Sequence, residues 1–339
     1  MNEIRVWVGS AGAFKDECKI LIKLLKNLGN DSLVIRNGPV EGFDWIVEFT
    51  PRELHSPPGS ISIYTSGTTA EPKKVTKQWK SILHNKKGSG KSTDRWLLTY
   101  SPARWAGLSV LAHCLKLGCE LVIPDSLEIQ DICKGIQKST HISLTPSLFR
   151  KALVSGANLD NPDLIQVTFG GESATQIILD RAKQIWPKAR ISHVYASTEY
   201  GDLLSCSDGM EGFVRLPGDL TEEGELTIEG IPTGDLWRLE GGRYIFIGRK
   251  GDGINVGGAK VMPFEVEKIM NEIPGIDECR VFGVPSVLLG SIVCAEYRGI
   301  ITPINLTKEL RARLPKYAVP RCVKVKELTL TSAGKVSRR

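Results

Sequence analysis

Apolar and polar positions in the first part of the chain switch repeatedly between the period of a strand and the period of a helix. Residues 15–28 place their apolar side chains along one helical face, and Gly29 would end that helix. Further helices are predicted at 76–86, 108–117, 126–138 and 147–154. Strands are predicted at 4–8, 44–49, 61–64, 95–100, 120–123, 141–144, 165–169 and 191–195. This alternation predicts an α/β sheet with helices on both faces and with ligands beyond the carboxyl ends of its strands.

The pattern changes in the last third of the chain. Residues 209–242 are rich in glycine and in short strands, which predicts a small β subdomain. The chain beyond residue 252 has the pattern of a small α+β domain. Its predicted helices are 264–272 and 305–313, and its predicted strands are 279–284, 292–298 and 322–327.

Composition narrows the class of protein. The 339 residues are 41% hydrophobic and 24% charged, as in an ordinary globular protein that is long enough for two or three domains. No run of about eighteen apolar residues exists, and the N-terminus lacks the apolar core of a signal peptide, so we expect a cytoplasmic protein without membrane insertion. The eight cysteines never form Cys-x-x-Cys, which favours buried free thiols over disulfides or zinc. The net charge of +6 suits anionic ligands such as nucleotides, but no basic run interleaved with aromatic residues indicates nucleic acid.

One loop, at residues 65–73, has the composition of a phosphate-binding loop. Small residues let backbone N–H groups approach an anion, hydroxyls add hydrogen bonds, and lysines add charge. A Ser/Thr-rich surface turn is the alternative for such a loop taken alone. The candidate phosphate ligands are Thr65, Ser66, Gly67, Thr68, Thr69 and Lys73.

This loop, with the strand before it, resembles the signature of the adenylate-forming superfamily, which contains acyl-CoA synthetases, peptide-synthetase adenylation domains and luciferases. Ala70 replaces the last glycine of that signature. The resemblance implies that the loop holds the β- and γ-phosphates of ATP while a carboxylate attacks the α-phosphorus. Only about sixty residues precede the loop, fewer than in the family, so the chain looks abbreviated at its N-terminus.

Two further motifs follow predicted strands. Gly170, Gly171 and Glu172 resemble the family's adenine contact, and residues 195–199 resemble its Tyr-Gly-x-Thr-Glu motif, with Ala196 in place of glycine. The resemblance implies three roles: Tyr195 stacks on adenine, Thr198 reaches the α-phosphate, and Glu199 binds Mg²⁺, which prefers carboxylate and phosphate oxygens. Taken alone, Thr198 and Glu199 would be read as the start of a helix.

The C-terminal half carries the remaining motifs. Asp235 lies in a Thr-Gly-Asp that resembles the family's ribose-binding aspartate, although the triplet alone is merely a good turn. Residues 244–267 resemble the family's hinge, where Arg249 would contact ribose or phosphate and where Gly251 replaces the usual aspartate. Residues 331–338 resemble the last family motif, in which Lys335 would be the catalytic lysine that neutralises charge on phosphorus and carboxylate. An isolated Gly-Lys near a chain end is usually just solvated.

The resemblance as a whole implies a fold and a reaction. The fold would be a large domain of α/β sheets with a small β subdomain at 1–249, and a small mobile α+β domain at 250–339. The reaction would activate a carboxylic acid with ATP and Mg²⁺ to an acyl-adenylate and pass the acyl group to the thiol of coenzyme A, whose pantetheine would cross Gly257 and Gly258. The alternatives are transfer to a separate carrier protein, or a degenerate nucleotide-binding regulatory protein without ligase activity.

The acid is the least determined part of the prediction. In the family the acid pocket includes the segment that here carries Arg104 and Trp105. Many acyl-CoA synthetases have a histidine at the position of Arg104. An arginine there would either pair with a second carboxylate, as an o-succinylbenzoate-like acid requires, or face solvent. Together with the short N-terminus, this favours a small or aromatic acid.

Overall fold

The computed structural model describes seven stretches of the chain, and contacts between residues divide the chain into two compact units. The first unit is Met1–Glu172 with Asp180–Gly209, and the second is Ser173–Leu179 with Met210–Arg339. The predicted domain boundary at residue 249 lies inside the second unit and stays a prediction. The stretches described are residues 4–8, 14–26, 32–36, 45–50, 59–65, 73–84 and 91–328.

The first unit contains two sheets. The first sheet has five strands in the order β1-β3-β2-β4-β5. Its strands β2 and β4 are parallel and its other pairs are antiparallel. The strands are β1 (Ile4–Val8), β2 (Ser32–Arg36), β3 (Trp45–Thr50), β4 (Ser60–Thr65) and β5 (Lys73–Gln78), and helices α1 (Phe14–Lys26) and α2 (Trp79–His84) accompany them.

The second sheet has six strands in the order β11-β10-β9-β8-β6-β7. Five of these strands are parallel, and β11 is added antiparallel at one edge. The strands are β6 (Arg95–Leu97), β7 (Glu120–Val122), β8 (His141–Leu144), β9 (Gln166–Phe169), β10 (Arg190–Ser197) and β11 (Gly201–Cys206). The helices are α3 (Trp105–Leu117), α4 (Ile129–Ile136), α5 (Pro146–Val154) and α6 (Gln176–Ile185).

One apolar core of the first unit packs helices α1, α2 and α3 against strands β4 and β6. Helix α1 contributes Phe14, Cys18, Leu21 and Leu25, which recur at helical spacing and are all buried. The same cluster includes Trp79 and Ile82 of α2 and much of α3. Each fully buried large aliphatic side chain contributes about 1.5–3 kcal/mol, so this core stabilises β4, whose end leads into the predicted phosphate loop.

The second unit contains two antiparallel-rich sheets. The four-stranded sheet has the order β12-β13-β14-β15, and the other sheet has the order β17-β16-β19-β18 with β20 parallel to β19. A separate core includes Val266, Met270, Val281, Tyr297 and Leu306. The elements are β12 (Asp219–Leu220), β13 (Glu225–Ile228), β14 (Ile231–Glu240), β15 (Arg243–Arg249), β16 (Ile254–Val256), β17 (Ala259–Val261), α7 (Pro263–Asn271), β18 (Ile276–Ser286), β19 (Gly290–Gly299), α8 (Pro303–Arg313) and β20 (Arg321–Lys324).

The α/β fold predicted from the sequence is confirmed, and most element positions agree within a few residues. The helix predicted at 76–86 is wrong at its start, because residues 73–78 pair with β4 as an edge strand and the helix begins only at Trp79. Helix α3 begins at Trp105, three residues before the predicted start, and β6 ends at Leu97. Strand β2 and the hairpin of β16 and β17 are not foreseen from the sequence.

The eight cysteines are all free thiols, and four of them are buried. Burial raises the pKa of the Cys114 thiol to about 12, which keeps it protonated and chemically inert. Among the described helices, none combines the length and the apolar character needed to cross a membrane.

Candidate active site

The predicted phosphate loop joins two paired strands of the first sheet. Thr65 ends β4 and lies opposite Lys73, the first residue of β5. The side chain of Lys73 is exposed. The predicted ligands Ser66, Gly67, Thr68 and Thr69, as well as the side chain of Thr65, lie outside the described residues.

The Gly170-Gly171-Glu172 motif follows β9 directly, at the carboxyl end of the parallel strands. The N–H of Gly170 donates to the carbonyl oxygen of Leu144 at 3.1 Å, which extends the pairing of β8 and β9 by one residue. Gly171 has a φ of 79°, a left-handed conformation that favours glycine. This backbone conformation, rather than space alone, explains glycine at position 171.

Glu172 has a structural role that the sequence does not indicate. One oxygen of its carboxylate, Oε2, accepts hydrogen bonds from Ser147 N at 3.0 Å and from Ser147 Oγ at 2.7 Å. Ser147 lies in the first turn of α5, so the negative charge stands at the positive end of the helix dipole. The side chain of Glu172 therefore anchors α5, and its predicted contact with adenine stays a prediction.

Tyr195, Thr198 and Glu199 lie at the end of the adjacent strand, β10. The pairing of β10 with β11 shifts at Tyr195 and Ala196, and residues 198–200 form the turn between the two strands. The helix start that Thr198 and Glu199 would suggest in isolation is absent from this part of the described chain. The N–H of Tyr200 donates to Ser197 Oγ at 3.1 Å, which closes the turn.

Glu199 is in direct contact with Lys77, a residue that none of the sequence motifs indicates. Lys77 Nζ donates to the main-chain oxygen of Glu199 at 2.6 Å. Partial burial lowers the pKa of the Lys77 ammonium, and the negative charge of Glu199 opposes this shift. The side chain of Glu199 is exposed, so its carboxylate remains accessible from solvent.

Arg104 and Trp105 lie where β6 leads into α3. Arg104 precedes the helix in an extended conformation, and its Nη2 atom is buried without a hydrogen-bond partner among the described residues. Burial lowers the pKa of the Arg104 guanidinium, which nevertheless stays charged at physiological pH. Trp105 Nε1 donates to Asp202 Oδ1 at 3.1 Å. A buried cationic N–H without a protein partner is a position where an anion would be favourable.

Tyr100, close in sequence to Arg104, is a further polar residue near the site that the sequence motifs do not indicate. Its hydroxyl oxygen is buried and lies 3.9 Å from where a Cβ on Gly170 would stand. Burial is the main cause that raises the pKa of Tyr100, so the phenol is neutral. The hydroxyl therefore adds a polar group beside the Gly170 loop.

In the second unit, the predicted ribose ligand Asp235 and Arg249, predicted to contact ribose or phosphate, face each other across neighbouring strands. Asp235 of β14 pairs with Arg249 of β15, and Arg249 Nε lies 3.0 Å from Asp235 Oδ1. Asp235 is only 6% exposed, and its N–H donates to Thr233 Oγ1 at 3.2 Å. The ion pair places a cation beside a buried carboxylate, and a carboxylate can accept hydrogen bonds from hydroxyl groups.

Gly257 and Gly258 form the two-residue loop of the hairpin made by β16 and β17. Their φ angles are 57° and 88°, the two positive values that a type I′ turn needs. Gly257 N–H donates to the carbonyl oxygen of Leu289 at 2.9 Å. The predicted pantetheine contact stays a prediction, and the predicted catalytic residue Lys335 lies outside the described residues.

The described part of the chain contains no group of three or more His, Cys, Asp or Glu side chains that would hold a metal on their own. A single carboxylate such as that of Glu199 fits magnesium when phosphate oxygens and water complete the coordination. Such a carboxylate therefore fits a magnesium–nucleotide complex.

Two family models match this chain. Residues 27–232 match the AMP-binding enzyme family, and residues 265–335 match the AMP-binding enzyme C-terminal domain. Since the first match alone spans more than half of the chain, the protein belongs to the AMP-binding enzyme family.

Several known proteins are similar to this chain. The 2-succinylbenzoate–CoA ligase of Listeria monocytogenes serotype 4b (strain F2365) is 24% identical over 321 residues, which cover 81% of this chain and 68% of the relative. Tyrocidine synthase 3 of Brevibacillus parabrevis is 26% identical over 342 residues, which cover 82% of this chain and 5% of that much longer protein.

A solved structure shows the same fold. The o-succinylbenzoate CoA synthetase of Bacillus subtilis in complex with the acyl-adenylate intermediate OSB-AMP matches with a TM-score of 0.64 and 21% identity, over 82% of this chain and 68% of that chain. The same enzyme in complex with ATP and magnesium ion matches with a TM-score of 0.63 and 20% identity, over the same shares of the two chains.

Proposed function

We propose that this protein is an AMP-forming acid–thiol ligase. A carboxylate oxygen of the substrate acid would attack the α-phosphorus of ATP and release pyrophosphate. A thiol sulfur would then attack the acyl carbon and release AMP. The observation that carries the proposal is the family match over both parts of the chain, with the motif residues at the adjacent carboxyl ends of β9 and β10.

The first unit would hold the nucleotide's base and phosphates. The loop after β4 would grip the β- and γ-phosphates, with Lys73 at its far end. Tyr195 would stack on adenine against the backbone of Gly170 and Gly171, and Thr198 would reach the α-phosphate. Glu199 would hold Mg²⁺, which supplies charge neutralisation on the phosphates when it is bound.

The second unit would supply the ribose contact and the mobile catalytic group. Asp235, which forms an ion pair with Arg249, would accept hydrogen bonds from the ribose hydroxyls. Lys335 would neutralise charge during adenylation. A segment beginning near residue 250 would then swing, withdraw Lys335 and bring Gly257 and Gly258 to the thiol, because the two half-reactions need different groups at one site.

The acceptor is proposed to be coenzyme A. Support comes from the CoA ligases among the similar proteins and from the exposed glycine hairpin at 257–258. A separate carrier protein is the alternative acceptor. A pantetheine thiol is common to both acceptors, so a direct comparison of free CoA with a pantetheinylated carrier protein distinguishes them.

The acid is proposed to be small or aromatic and to carry a second anionic group near Arg104. Support comes from the buried Nη2 of Arg104, which has no partner among the described residues, and from the 2-succinylbenzoate ligases among the relatives. A guanidinium binds a carboxylate with two parallel hydrogen bonds, and burial strengthens that interaction.

The first test is acid-dependent exchange of labelled pyrophosphate into ATP, over a panel of aromatic, dicarboxylic, short-chain and long-chain acids. We expect exchange with one acid class, and Lys335→Ala should abolish it. Asp235→Asn should lower the affinity for the nucleotide about 10-fold to 100-fold, because it removes the charge of the group that accepts hydrogen bonds from the ribose hydroxyls. ATP binding without exchange on any acid would instead favour a nucleotide-binding regulatory protein. The departures from the family motifs at Ala70, Ala196 and Gly251 support that alternative.

The second test addresses the acid. Arg104→Met should raise the KM for a dicarboxylic substrate at least about 30-fold, equivalent to about 2 kcal/mol, because one partner of a buried charge pair is lost. The KM for a monocarboxylic analogue should change little. Arg181→Met, on the exposed face of α6, is the matched control. An equal effect of Arg104→Met on both acids would refute the assignment.

A further inference from the structure

Lys77 occupies a position on the edge strand β5 where an apolar side chain would be expected. Side chains along β5 alternate, and Val75 and Lys77 are the partly buried pair, whereas Thr76 and Gln78 are exposed. Removing an ammonium group from water is costly unless it gains a partner. A lysine on the inward face therefore indicates a specific contact.

That contact lies in the other sheet of the first unit. Lys77 Nζ donates to the main-chain oxygen of Glu199 at 2.6 Å, between residues that are 122 positions apart in sequence. The same Nζ lies 5.5 Å from the centre of the Trp105 ring, within the range of a cation–π interaction. One side chain thus links β5, the strand that follows the phosphate loop, to the turn between β10 and β11.

The ring beneath Lys77 is itself fixed. Trp105 Nε1 donates to Asp202 Oδ1 at 3.1 Å, and Ser109 Oγ lies 3.4 Å from Asp202 Oδ2. A Cβ on Gly201 would come within 3.2 Å of the ring atom Cζ2, so the backbone after the turn packs closely on the ring. We call these side chains, Lys77, Trp105, Ser109 and Asp202, the Lys77 cluster.

The Lys77 cluster acts on the main chain of the turn and leaves the Glu199 carboxylate exposed. The turn has a second anchor at the Tyr200 N–H, which donates to Ser197 Oγ. The two hydrogen bonds therefore engage the same peptide group, one at the carbonyl oxygen of Glu199 and the other at the N–H of Tyr200. Loss of the Lys77 donor would remove the hydrogen bond from β5 to this peptide group and would leave the contacts of Gly201 and Asp202 with Trp105 in place.

We propose that Lys77 is a positioning residue that fixes the Thr198–Glu199 turn relative to the strand leaving the phosphate loop. This inference rests on the proposed function, since it assigns Lys77 to the spacing between the nucleotide's phosphates and the magnesium ligand. Lys77 does not contact the reacting atoms in this role. Its effect passes through the main-chain oxygen of Glu199.

The test compares three variants. Lys77→Met keeps the aliphatic stem and removes the donor, Lys77→Arg keeps a charged donor, and Lys80→Met removes an exposed lysine from the neighbouring helix α2. The first measurement needs no activity: hydrogen–deuterium exchange of the ligand-free protein in peptides covering 195–206. We expect exchange in these peptides to be about tenfold faster in Lys77→Met, because one charge-assisted hydrogen bond is lost. Lys77→Arg should partly restore the slower exchange, and Lys80→Met should not change it.

The second measurement is pyrophosphate exchange as a function of Mg·ATP and of acid. Lys77→Met should raise the KM for Mg·ATP about tenfold, equivalent to about 1.4 kcal/mol, and leave the KM for the acid within about twofold. The KM for Mg·ATP in Lys77→Arg should lie between those of Lys77→Met and the unmodified protein. If Lys77→Met does not fold, Lys77→Arg is compared with the unmodified protein alone.

The possible failures are distinguishable. Unchanged hydrogen exchange at 195–206 in Lys77→Met overturns the link itself, whatever the enzyme does. Faster exchange with an unchanged KM for Mg·ATP overturns the positioning role. Absence of pyrophosphate exchange in the unmodified protein with every acid overturns the proposed function, and the positioning role with it.

Discussion

Glu172 should contribute measurably to the stability of the first unit, although its motif resembles a nucleotide contact. Its Oε2 accepts two hydrogen bonds from Ser147, one from the backbone and one from the hydroxyl. Both bonds lie at the start of α5, whose Phe149 is fully buried against Phe169 and Trp186. Removing the carboxylate should therefore loosen a helix that is part of the packed core.

The magnitude follows from the two bonds. A hydrogen bond to a charged group contributes about 1.5–3 kcal/mol, and the charge at the helix N-terminus adds about 0.3–1 kcal/mol. Both Glu172 and Ser147 are partly exposed, so solvent screening reduces the contribution of each bond to about 1 kcal/mol. We expect Glu172→Ala to lower the free energy of unfolding by about 2 kcal/mol and Ser147→Ala by about 1 kcal/mol.

A double-mutant cycle isolates the interaction. Ser147→Ala removes only the hydroxyl bond, so the coupling energy between the two positions should be about 1 kcal/mol. Glu172→Gln keeps an acceptor oxygen and removes the charge, so it should cost less than Glu172→Ala. Urea unfolding gives the free energies, and hydrogen exchange in residues 146–154 locates the effect in α5.

Two results would refute this reasoning. A coupling energy below about 0.3 kcal/mol would mean that the two side chains act independently. A Glu172→Ala protein with unchanged stability but weakened AMP binding would show that the carboxylate serves the nucleotide and not α5.

Three further predictions concern other parts of the fold. Gly107→Ala should destabilise the protein by about 1–3 kcal/mol in urea unfolding, because the new methyl group would overlap the carbonyl oxygen of Ser101, whereas Gly251→Ala, with open space around it, should change stability by less than about 0.5 kcal/mol. Burial lowers the pKa of His141 below its usual 6.5, so the unfolded state takes up the proton at a higher pH than the folded state does. The free energy of unfolding should therefore fall as the pH drops from about 7.5 to about 5.5, and it should fall less in the His141→Phe variant. Tyr297→Phe should cost about 1 kcal/mol, since the fully buried hydroxyl donates to a backbone carbonyl at 2.9 Å.

The sequence predicted the second sheet well and the first sheet less well, for a physical reason. Parallel strands that are buried on both faces, such as β8 and β9, are short apolar runs that stand out between helices. Strand β5 is an edge strand with three lysines among its six residues, and its identity depends on pairing with β4. Local propensity does not carry that information, so the helix that follows was predicted to start too early.

The residues of the candidate site likewise fall into two groups, those that a local sequence pattern indicates and those that depend on a distant partner. The motif residues Gly171, Thr198 and Asp235 were predicted from the sequence because their neighbours form a recognisable pattern. Lys77 was not selected, since its partner Glu199 lies 122 residues away and no local pattern joins them. The available signal was the polar residue at an inward position of an alternating strand, which becomes visible only once β5 is identified as a strand.

The departures from the family motifs have different structural meanings. Among the described residues, Glu229 is the single non-glycine residue with a positive φ, so Ala196 occupies a backbone conformation that any residue adopts. Alanine there needs no compensating change in the chain. Gly251 likewise lies outside the left-handed region and has open space around its Cα. Glycine at 251 is therefore not required by the backbone conformation. The predicted hinge differs from the family pattern because it lacks a carboxylate that this backbone could still carry.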